Sequence, residues 1–210
     1  MFEYSKISFK TIFNWRKLHN QAIDRAFIDF LKIHGYVVQE LKHIPCTCCS
    51  NSSLNVLDFD KIKDDLSMKL GINDANKLQS MDAILLKGKK LSLVEMKSYR
   101  NYSSNPTNSG KTIQDFINHY LSPSEIPSKK VDTLLLLLGV LGYYKAPKHL
   151  FNFLLNKSGA EIKSFFLTDA TAVEMTRLVL ATLPITVSTK RVHAAISIIN
   201  CNDLGRFFPA

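Results

Sequence analysis

The stretch from Ser80 to Tyr99 decides the fold, and it reads SMDAILLKGKKLSLVEMKSY. Its two apolar halves, Met81–Leu86 and Leu91–Ser98, have the length and composition of short β-strands. Between them, Gly88 stands where the first central residue of a type II′ turn requires a positive φ. The pattern therefore predicts a β-hairpin that turns at Gly88 and Lys89.

This turn determines which residues of the hairpin face each other. With Lys87 paired to Lys90, the register brings Asp82 opposite Glu95. Opposed side chains on antiparallel strands have Cβ atoms about 4.5–5.5 Å apart, and like charges at that distance are destabilising. A divalent cation between the carboxylates is the simplest remedy, because Mg²⁺ is commonly held by one or two carboxylates with water and substrate phosphate. Strand alternation places Lys97 on the same face as Glu95.

A bound cation with an ammonium group beside it is suited to hydrolysis of a phosphodiester. The cation stabilises developing charge and activates water, and the lysine orients or deprotonates the nucleophile. Asp82 followed by Glu95-Met96-Lys97 resembles the signature of the PD-(D/E)xK, or restriction-endonuclease-like, nuclease superfamily, with Met81 in place of the family's proline. The Glu-x-Lys triplet alone is weak evidence, and the opposed aspartate gives the pattern its specificity.

The resemblance implies an α/β fold: a restriction-endonuclease-like core with a mixed central β-sheet flanked by helices. It also implies that Asp82, Glu95 and the Met96 carbonyl oxygen bind Mg²⁺ or Mn²⁺, and that Lys97 is catalytic. Members of the family often have an acidic residue on the first helix, so Asp24 is a candidate third catalytic carboxylate. The alternative for Asp24 is a solvated aspartate at the edge of the buried helix face.

Residues after the hairpin are candidates for nucleic-acid contacts. Arg100 and Lys111 flank a polar loop beside the predicted site, where contacts to phosphate are plausible. Gln114 lies on the following helix, where some branches of the family keep a glutamine. A plain surface loop is the alternative.

Length and composition indicate a single domain over residues 1–210, with a loop and helix insertion at about 43–79. The chain has a hydrophobic content of 46% and a net charge of +9, which favour a globular protein with a polyanionic partner such as DNA. The apolar run Thr133–Tyr144 is too short for a membrane span, and the start of the chain lacks a signal-peptide pattern. A soluble intracellular protein is expected, in the host cytoplasm if it is viral.

Apolar periodicity predicts the other elements. Helices are expected at Phe13–His34, Phe59–Leu70, Lys111–Tyr120, Lys130–Tyr144 and Ala170–Leu183. A strand begins at Tyr36, residues 43–56 read as a loop, and further strands are expected at Ser164–Leu167, Ile185–Val187 and Val192–Ile199. This alternation is typical of an α/β protein.

The four cysteines are Cys46, Cys48, Cys49 and Cys201. Their spacing differs from the paired ligands of common structural zinc sites, so reduced thiols in a loop are expected, with zinc as an alternative. A disulfide requires an oxidising host or a hyperthermophile.

The resulting hypothesis is a Mg²⁺- or Mn²⁺-dependent nuclease that hydrolyses DNA, with no organic cofactor, since nucleotide-binding motifs are lacking. Its size and charge are similar to those of junction-resolving, structure-selective family members, which usually act as homodimers, and of viral nucleases, including those of archaeal viruses. Two alternatives remain: a non-catalytic nucleic-acid-binding module on the same fold, and an RNA endonuclease.

Overall fold

The computed structural model describes residues 22–44, 48–73, 78–121, 125–155, 161–176 and 196–208. The chain forms an α/β fold with a six-stranded mixed sheet flanked by helices. Its elements are, in chain order, α1 Ile23–Ile33, β1 Val38–Glu40, β2 Asn55–Asp58, α2 Phe59–Lys69, β3 Ala83–Lys87, β4 Lys90–Met96, α3 Tyr99–Ser104, α4 Ile113–Tyr120, α5 Glu125–Tyr143, α6 Lys148–Leu154, β5 Glu161–Thr168, β6 Ile196–Asn200 and α7 Leu204–Phe207.

The strands lie in the sheet in the order in which they occur along the chain. Strands β1 to β4 form an antiparallel meander, and β5 and β6 then continue the sheet parallel to β4. The start of β3 and the ends of β4 and β5 therefore meet at one end of the sheet, which is where Asp82, Glu95 and Lys97 lie.

The central hairpin has the predicted register. Ala83 pairs with Val94, and the pairing continues to Lys87 with Lys90. Gly88 has a φ of 58°, and Lys89 has a negative φ. A type II′ turn requires this combination, with a positive φ at the first central residue only.

The two faces of the sheet have separate hydrophobic cores. Leu91 and Leu93 of β4 face the larger core, together with buried residues of α1, α2 and α5. Val94 and Met96 face the smaller core, which includes Cys49. Glu95 and Lys97 therefore lie on the face opposite Val94 and Met96, as predicted.

The segment predicted as an insertion, residues 43–79, contributes to both sheet and core. Asn55–Asp58 lies within or next to the predicted loop, yet it forms β2, paired with β1 and β3. Only two of its four residues are apolar, so pairing on both sides rather than side-chain pattern makes it a strand. Asp58 then caps α2, since its side chain accepts a hydrogen bond from the amide of Lys61.

Helix α5 begins at Glu125, five residues before the predicted start. Pro127 falls in its first turn. A proline is tolerated there because a backbone N–H at this position would have no intrahelical acceptor. The longer helix includes Lys129, which matters for the site.

The remaining helix and strand predictions are confirmed where they fall on described residues, whereas the polar loop expected after Arg100 begins within helix α3. The predicted first helix is seen as α1, with Gly35 at a φ of 90° just beyond its end. Strands β5 and β6 and helical residues 172–176 match the later predictions. Residues 13–21, Ile185–Val187 and the first part of Val192–Ile199 lie outside the described residues.

Candidate active site

Asp82 and Glu95 occupy neighbouring positions at one end of the hairpin. Asp82 directly precedes β3, and Glu95 follows Val94, the last residue of β4 that pairs with β3. Asp82 Oδ2 accepts hydrogen bonds from the Met96 amide at 2.6 Å and from Lys97 Nζ at 3.4 Å. Glu95 is fully buried. The structure therefore brings together the two carboxylates predicted from the hairpin register.

Two ammonium groups converge on one oxygen of Glu95. Lys97 Nζ lies 2.8 Å from Glu95 Oε1, and Lys129 Nζ lies 2.6 Å from the same atom. The other oxygen, Oε2, is buried and has no hydrogen-bond partner among the described residues. Burial of an unpartnered carboxylate oxygen is costly, so this atom marks a place where a further positive partner would be favourable.

The environment of Asp82 raises the pKa of its carboxyl group to about 6. Burial is the main cause, and the negative charge of Glu95 adds to it, whereas Lys97 and the Met96 amide act in the opposite direction. Asp60, on the first turn of α2, contributes a smaller rise. Its Oδ1 accepts a hydrogen bond from Ser80 Oγ at 3.1 Å. Burial and the nearby carboxylates thus both disfavour the ionised form of Asp82, and a bound cation would favour it.

Lys97 keeps its proton in this arrangement. Burial alone would lower the pKa of Lys97, but the charges of Glu95 and Asp82, and hydrogen bonds to both, raise it overall. Its Nζ also lies 5.8 Å from the centre of the Tyr120 ring, within the range of a cation–π contact. Lys97 is therefore suited to donate hydrogen bonds or to neutralise charge.

Lys129 and Thr133 were not predicted as site residues. Thr133 is fully buried, and its Oγ1 donates to the Lys129 carbonyl at 2.6 Å and accepts from the Met81 amide at 2.9 Å. The hydroxyl thus ties α5 to the residue before Asp82. A signal was available: Lys129 and Thr133 continue the four-residue spacing of the buried Leu137 and Leu141.

Met96, a predicted metal ligand through its carbonyl oxygen, lies between Glu95 and Lys97 and is the last residue of β4. Its amide bonds to Asp82, and its side chain is buried in the smaller core. Its backbone is therefore held within the site, while its side chain takes no part in it.

Asp24, the predicted third carboxylate, does not lie with Asp82 and Glu95. Its Oδ2 accepts a hydrogen bond of 2.7 Å from the Gly88 amide, at the turn of the hairpin. The turn is six residues from Asp82, or roughly 20 Å along a strand that rises about 3.3 Å per residue. Asp24 therefore stabilises the hairpin turn by accepting this hydrogen bond.

The three predicted nucleic-acid contacts lie on the segment that follows Lys97. Arg100 is exposed on α3, and its amide donates to Asp169 Oδ1 at 3.2 Å. Lys111 is exposed before α4, with its Nζ 2.7 Å from Asn108 Oδ1. Gln114, exposed on α4, bonds to Asn118. The aromatic residues Tyr99, Tyr102, Phe116 and Tyr120 pack α3 against α4.

Three cysteines form a cluster at the smaller core. Cys49 and Cys201 are joined by a disulfide, and Cys48 Sγ lies 2.9 Å from Cys201 Sγ. Burial raises the pKa of the Cys48 thiol to about 12. The expectation of reduced thiols in a loop is therefore wrong for Cys49 and Cys201, because folding of the sheet brings Cys201 to the loop, whereas Cys48 keeps its thiol. Cys46 lies outside the described residues.

No family model, curated protein or solved structure matches this chain. Within the described ranges, no helix has the combination of length and apolar character needed to cross a membrane.

Proposed function

We propose that this chain is a metal-dependent nuclease that hydrolyses phosphodiester bonds in DNA. The observation that supports it best is the pair Asp82 and Glu95, which meet at the end of one hairpin beside Lys97. Glu95 Oε2 is buried and has no hydrogen-bond partner among the described residues. A bound metal ion would supply the missing partner.

The available atoms fit Mg²⁺ or Mn²⁺. The hydrogen bonds to Asp82 from the described part of the chain go to Oδ2, and both lysines contact Glu95 Oε1. Asp82 Oδ1 and Glu95 Oε2 would then hold the ion, and carboxylate oxygens are the ligands these hard cations prefer. When bound, the ion would polarise the scissile phosphate and lower the pKa of a water ligand.

The lysines would have different roles. Lys97, protonated and partly exposed, would orient the attacking water or donate a hydrogen bond to a phosphate oxygen. Lys129 has only 14% of its side chain exposed, so it would mainly offset the buried charge of Glu95. It is thus proposed as a positioning residue.

The net charge of +9 and the exposed Arg100 and Lys111 support DNA as the partner. We extend the proposal to a restriction-endonuclease-like core, supported by the Asp82 and Glu95-Met96-Lys97 hairpin within a mixed sheet. Action on branched DNA by a homodimer is the corresponding refinement, and it rests on family resemblance alone.

A non-catalytic nucleic-acid-binding module is the second candidate. Lys97 and Lys129 supply two positive charges against the two negative charges of Asp82 and Glu95. This balance would allow the cluster to persist as a structural ion-pair network without a metal.

A substrate panel separates these candidates. The wild-type protein and the Asp82→Asn, Glu95→Gln and Asp29→Ala variants are incubated with linear duplex, branched and single-stranded DNA and with single-stranded RNA. Each reaction is run with Mg²⁺, with Mn²⁺ and with chelator. Asp29 lies on α1 with no role in the site, so its variant controls for loss of a surface carboxylate.

We expect Mn²⁺-dependent DNA cleavage by the wild type and Asp29→Ala, and cleavage reduced at least a hundredfold in the other two variants. Equal cleavage by wild type and Asp82→Asn would contradict the proposal and indicate a contaminating nuclease. Salt-sensitive DNA binding without turnover under any metal would favour the binding module. Cleavage confined to RNA would reassign the substrate.

A further inference from the structure

The sulfur atoms of Cys48, Cys49 and Cys201 form a compact group at the smaller core, on the face of the sheet opposite Glu95. All three lie within 4.8 Å of one another, although Cys201 is 152 residues from Cys49 in sequence. They belong to a short loop before β2 and to the turn after β6. The fold therefore assembles the group from two ends of the sheet.

A disulfide accounts for only two of these three sulfurs. It joins Cys49 to Cys201 and leaves Cys48 Sγ 3.7 Å from Cys49 Sγ and 2.9 Å from Cys201 Sγ. In a tetrahedral zinc site with Zn–S bonds of about 2.3 Å, neighbouring sulfurs are about 3.8 Å apart. Small movements of the side chains would thus bring three sulfurs to the spacing that one ion requires.

We propose that, in a reducing environment, Cys48, Cys49 and Cys201 supply three thiolate ligands to a Zn²⁺ ion, with water from the adjoining cleft in the fourth position. This proposal does not depend on the proposed nuclease activity. A cellular dithiol would supply two electrons and two protons to the Cys49–Cys201 bond and would itself become a disulfide. The three thiols would then lose their protons to solvent as thiolates bind the ion. Thiolates favour Zn²⁺ over the hard cations proposed for Asp82 and Glu95.

The surroundings suit an ion that stabilises the fold. Leu167 O accepts hydrogen bonds from Cys48 Sγ at 3.3 Å and from the Lys97 amide at 3.0 Å. An ion held by Cys48 would therefore fix the ends of β5 and β6 against the loop, next to the backbone of Lys97. A cleft of about 750 Å³, lined in part by all three cysteines, offers the ion a route of entry.

Metal binding and thiol counting test the proposal on the full chain. The protein is produced in a reducing cytoplasm and purified under inert gas, and its zinc content is measured. Zn²⁺ and Co²⁺ are then titrated into the chelator-treated, reduced wild type and into the Cys48→Ser and Ser53→Ala variants. Ser53 is an exposed residue of the same loop, so its variant is the matched control.

Cys48→Ser is the decisive variant, because a disulfide between Cys49 and Cys201 does not need Cys48. We expect one Zn²⁺ per chain and thiolate-to-cobalt charge-transfer absorption in the wild type and in Ser53→Ala. Cys48→Ser should bind Zn²⁺ more than about tenfold more weakly, since loss of even an outer partner of a metal ligand costs about 10–100-fold. Zn²⁺ should also raise the unfolding temperature of the wild type more than that of Cys48→Ser at the same Zn²⁺ concentration.

Other outcomes would overturn the proposal. After denaturation with chelator, the anaerobically purified protein should show all four cysteines of the chain as free thiols. Only two free thiols would mean that the disulfide is the state formed in the cell. Absence of thiolate–cobalt absorption in the reduced wild type, or equal Zn²⁺ affinity in wild type and Cys48→Ser, would also exclude the site.

Discussion

Lys129 on α5 and Glu95 on β4 form an ion pair inside the protein, with Nζ 2.6 Å from Oε1. Glu95 is fully buried, and Lys97 shares the same oxygen at 2.8 Å. A buried carboxylate must be compensated, because desolvation of a charge costs several kcal/mol when no partner replaces water. The pair therefore couples the position of α5 to the charge at the end of the hairpin.

Lys129→Met should destabilise the protein, since the variant keeps most of the apolar stem but removes one of two cations from Glu95. We expect the free energy of unfolding at neutral pH to fall by about 1.5–3 kcal/mol, the range for a hydrogen bond to a charged group. Urea denaturation measures this change in the free energy of unfolding. In a double-mutant cycle, Glu95→Gln should remove most of this loss. If Lys129→Met changed stability by the same amount in the wild-type and Glu95→Gln backgrounds, the ion pair would have no net effect.

The pH dependence of stability should report on Asp82. Its pKa in the folded state is about 6, against 3.8 for the unperturbed group. Because the folded state binds this proton more tightly, the contribution of Asp82 to the stability of the metal-free protein should fall as pH rises from about 4 to about 6, and then level off. The contribution is at most about 3 kcal/mol, at about 1.4 kcal/mol per pKa unit.

Asp82→Asn should lack this contribution. Urea unfolding of both proteins in chelator, at about pH 4 and about pH 7, should show the Asp82→Asn variant gaining stability relative to wild type at the higher pH. Mn²⁺ at the higher pH should stabilise the wild type more than the variant. A difference between the two proteins that does not change with pH would refute the account of the Asp82 pKa.

Local chemistry made the hairpin and its site predictable. Gly88 and the two apolar stretches beside it set the turn, and the turn sets the register, so the meeting of Asp82 and Glu95 followed from counting residues. Lys129 and the strand Asn55–Asp58 depend instead on tertiary partners. The strand exists because β1 and β3 lie on both sides of it, and Lys129 reaches Glu95 because α5 starts before Pro127.

The positions of Asp24 and the cysteines also depend on tertiary contacts that local sequence does not specify. A helix pattern gives the buried face of α1 but not its offset along the sheet, so Asp24 was expected at the wrong end of the hairpin. Cys201 meets Cys48 and Cys49 through the pairing of β6 with β5, a long-range contact that spacing in the sequence does not encode.

Thr133 should act as a positioning residue for Asp82. Thr133→Val removes the hydroxyl that joins the Met81 amide to the Lys129 carbonyl, and it should cost about 1–3 kcal/mol because the buried Met81 amide loses its acceptor. It should also weaken Mn²⁺ binding measured by calorimetry, because Met81 directly precedes Asp82. Thr133→Ser keeps the hydroxyl and should bind Mn²⁺ like the wild type, at a cost of about 0.8 kcal/mol for the lost methyl group. Equal Mn²⁺ affinity in all three proteins would limit Thr133 to a structural role.

Asp24 should matter for the hairpin turn and not for the metal. Asp24→Ala removes the acceptor for the Gly88 amide and should lower the free energy of unfolding by about 0.5–1.5 kcal/mol, the usual worth of one hydrogen bond. Its Mn²⁺ affinity should equal that of the wild type. Asp29→Ala, on the same helix, is the control for loss of an acidic side chain. A large drop in Mn²⁺ affinity for Asp24→Ala alone would restore Asp24 as a site carboxylate.

Arg100 and Lys111 should contribute to DNA affinity without taking part in the chemistry. The slope of log K against log salt concentration is negative. Each phosphate contact that is lost should make it less steep by about 1, because fewer counterions are released on binding. Arg100→Gln and Lys111→Gln are therefore compared with wild type by fluorescence anisotropy in chelator over a range of salt concentrations. Lys32→Gln is the control, because Lys32 is exposed and lies far from the proposed site. The nearby His34 stacks on Tyr144, just beyond the end of α5 that is remote from Lys129.

We expect the control to keep the wild-type slope and the two test variants to lose affinity uniformly across DNA sequences. Their cleavage rates at saturating DNA should match the wild-type rate, because Asp82, Glu95 and Lys97 are unchanged. Slopes equal to that of the wild type in both variants would place the DNA path elsewhere on the basic surface. A loss of rate at saturation with unchanged affinity would instead indicate that Arg100 or Lys111 contacts the reacting phosphate.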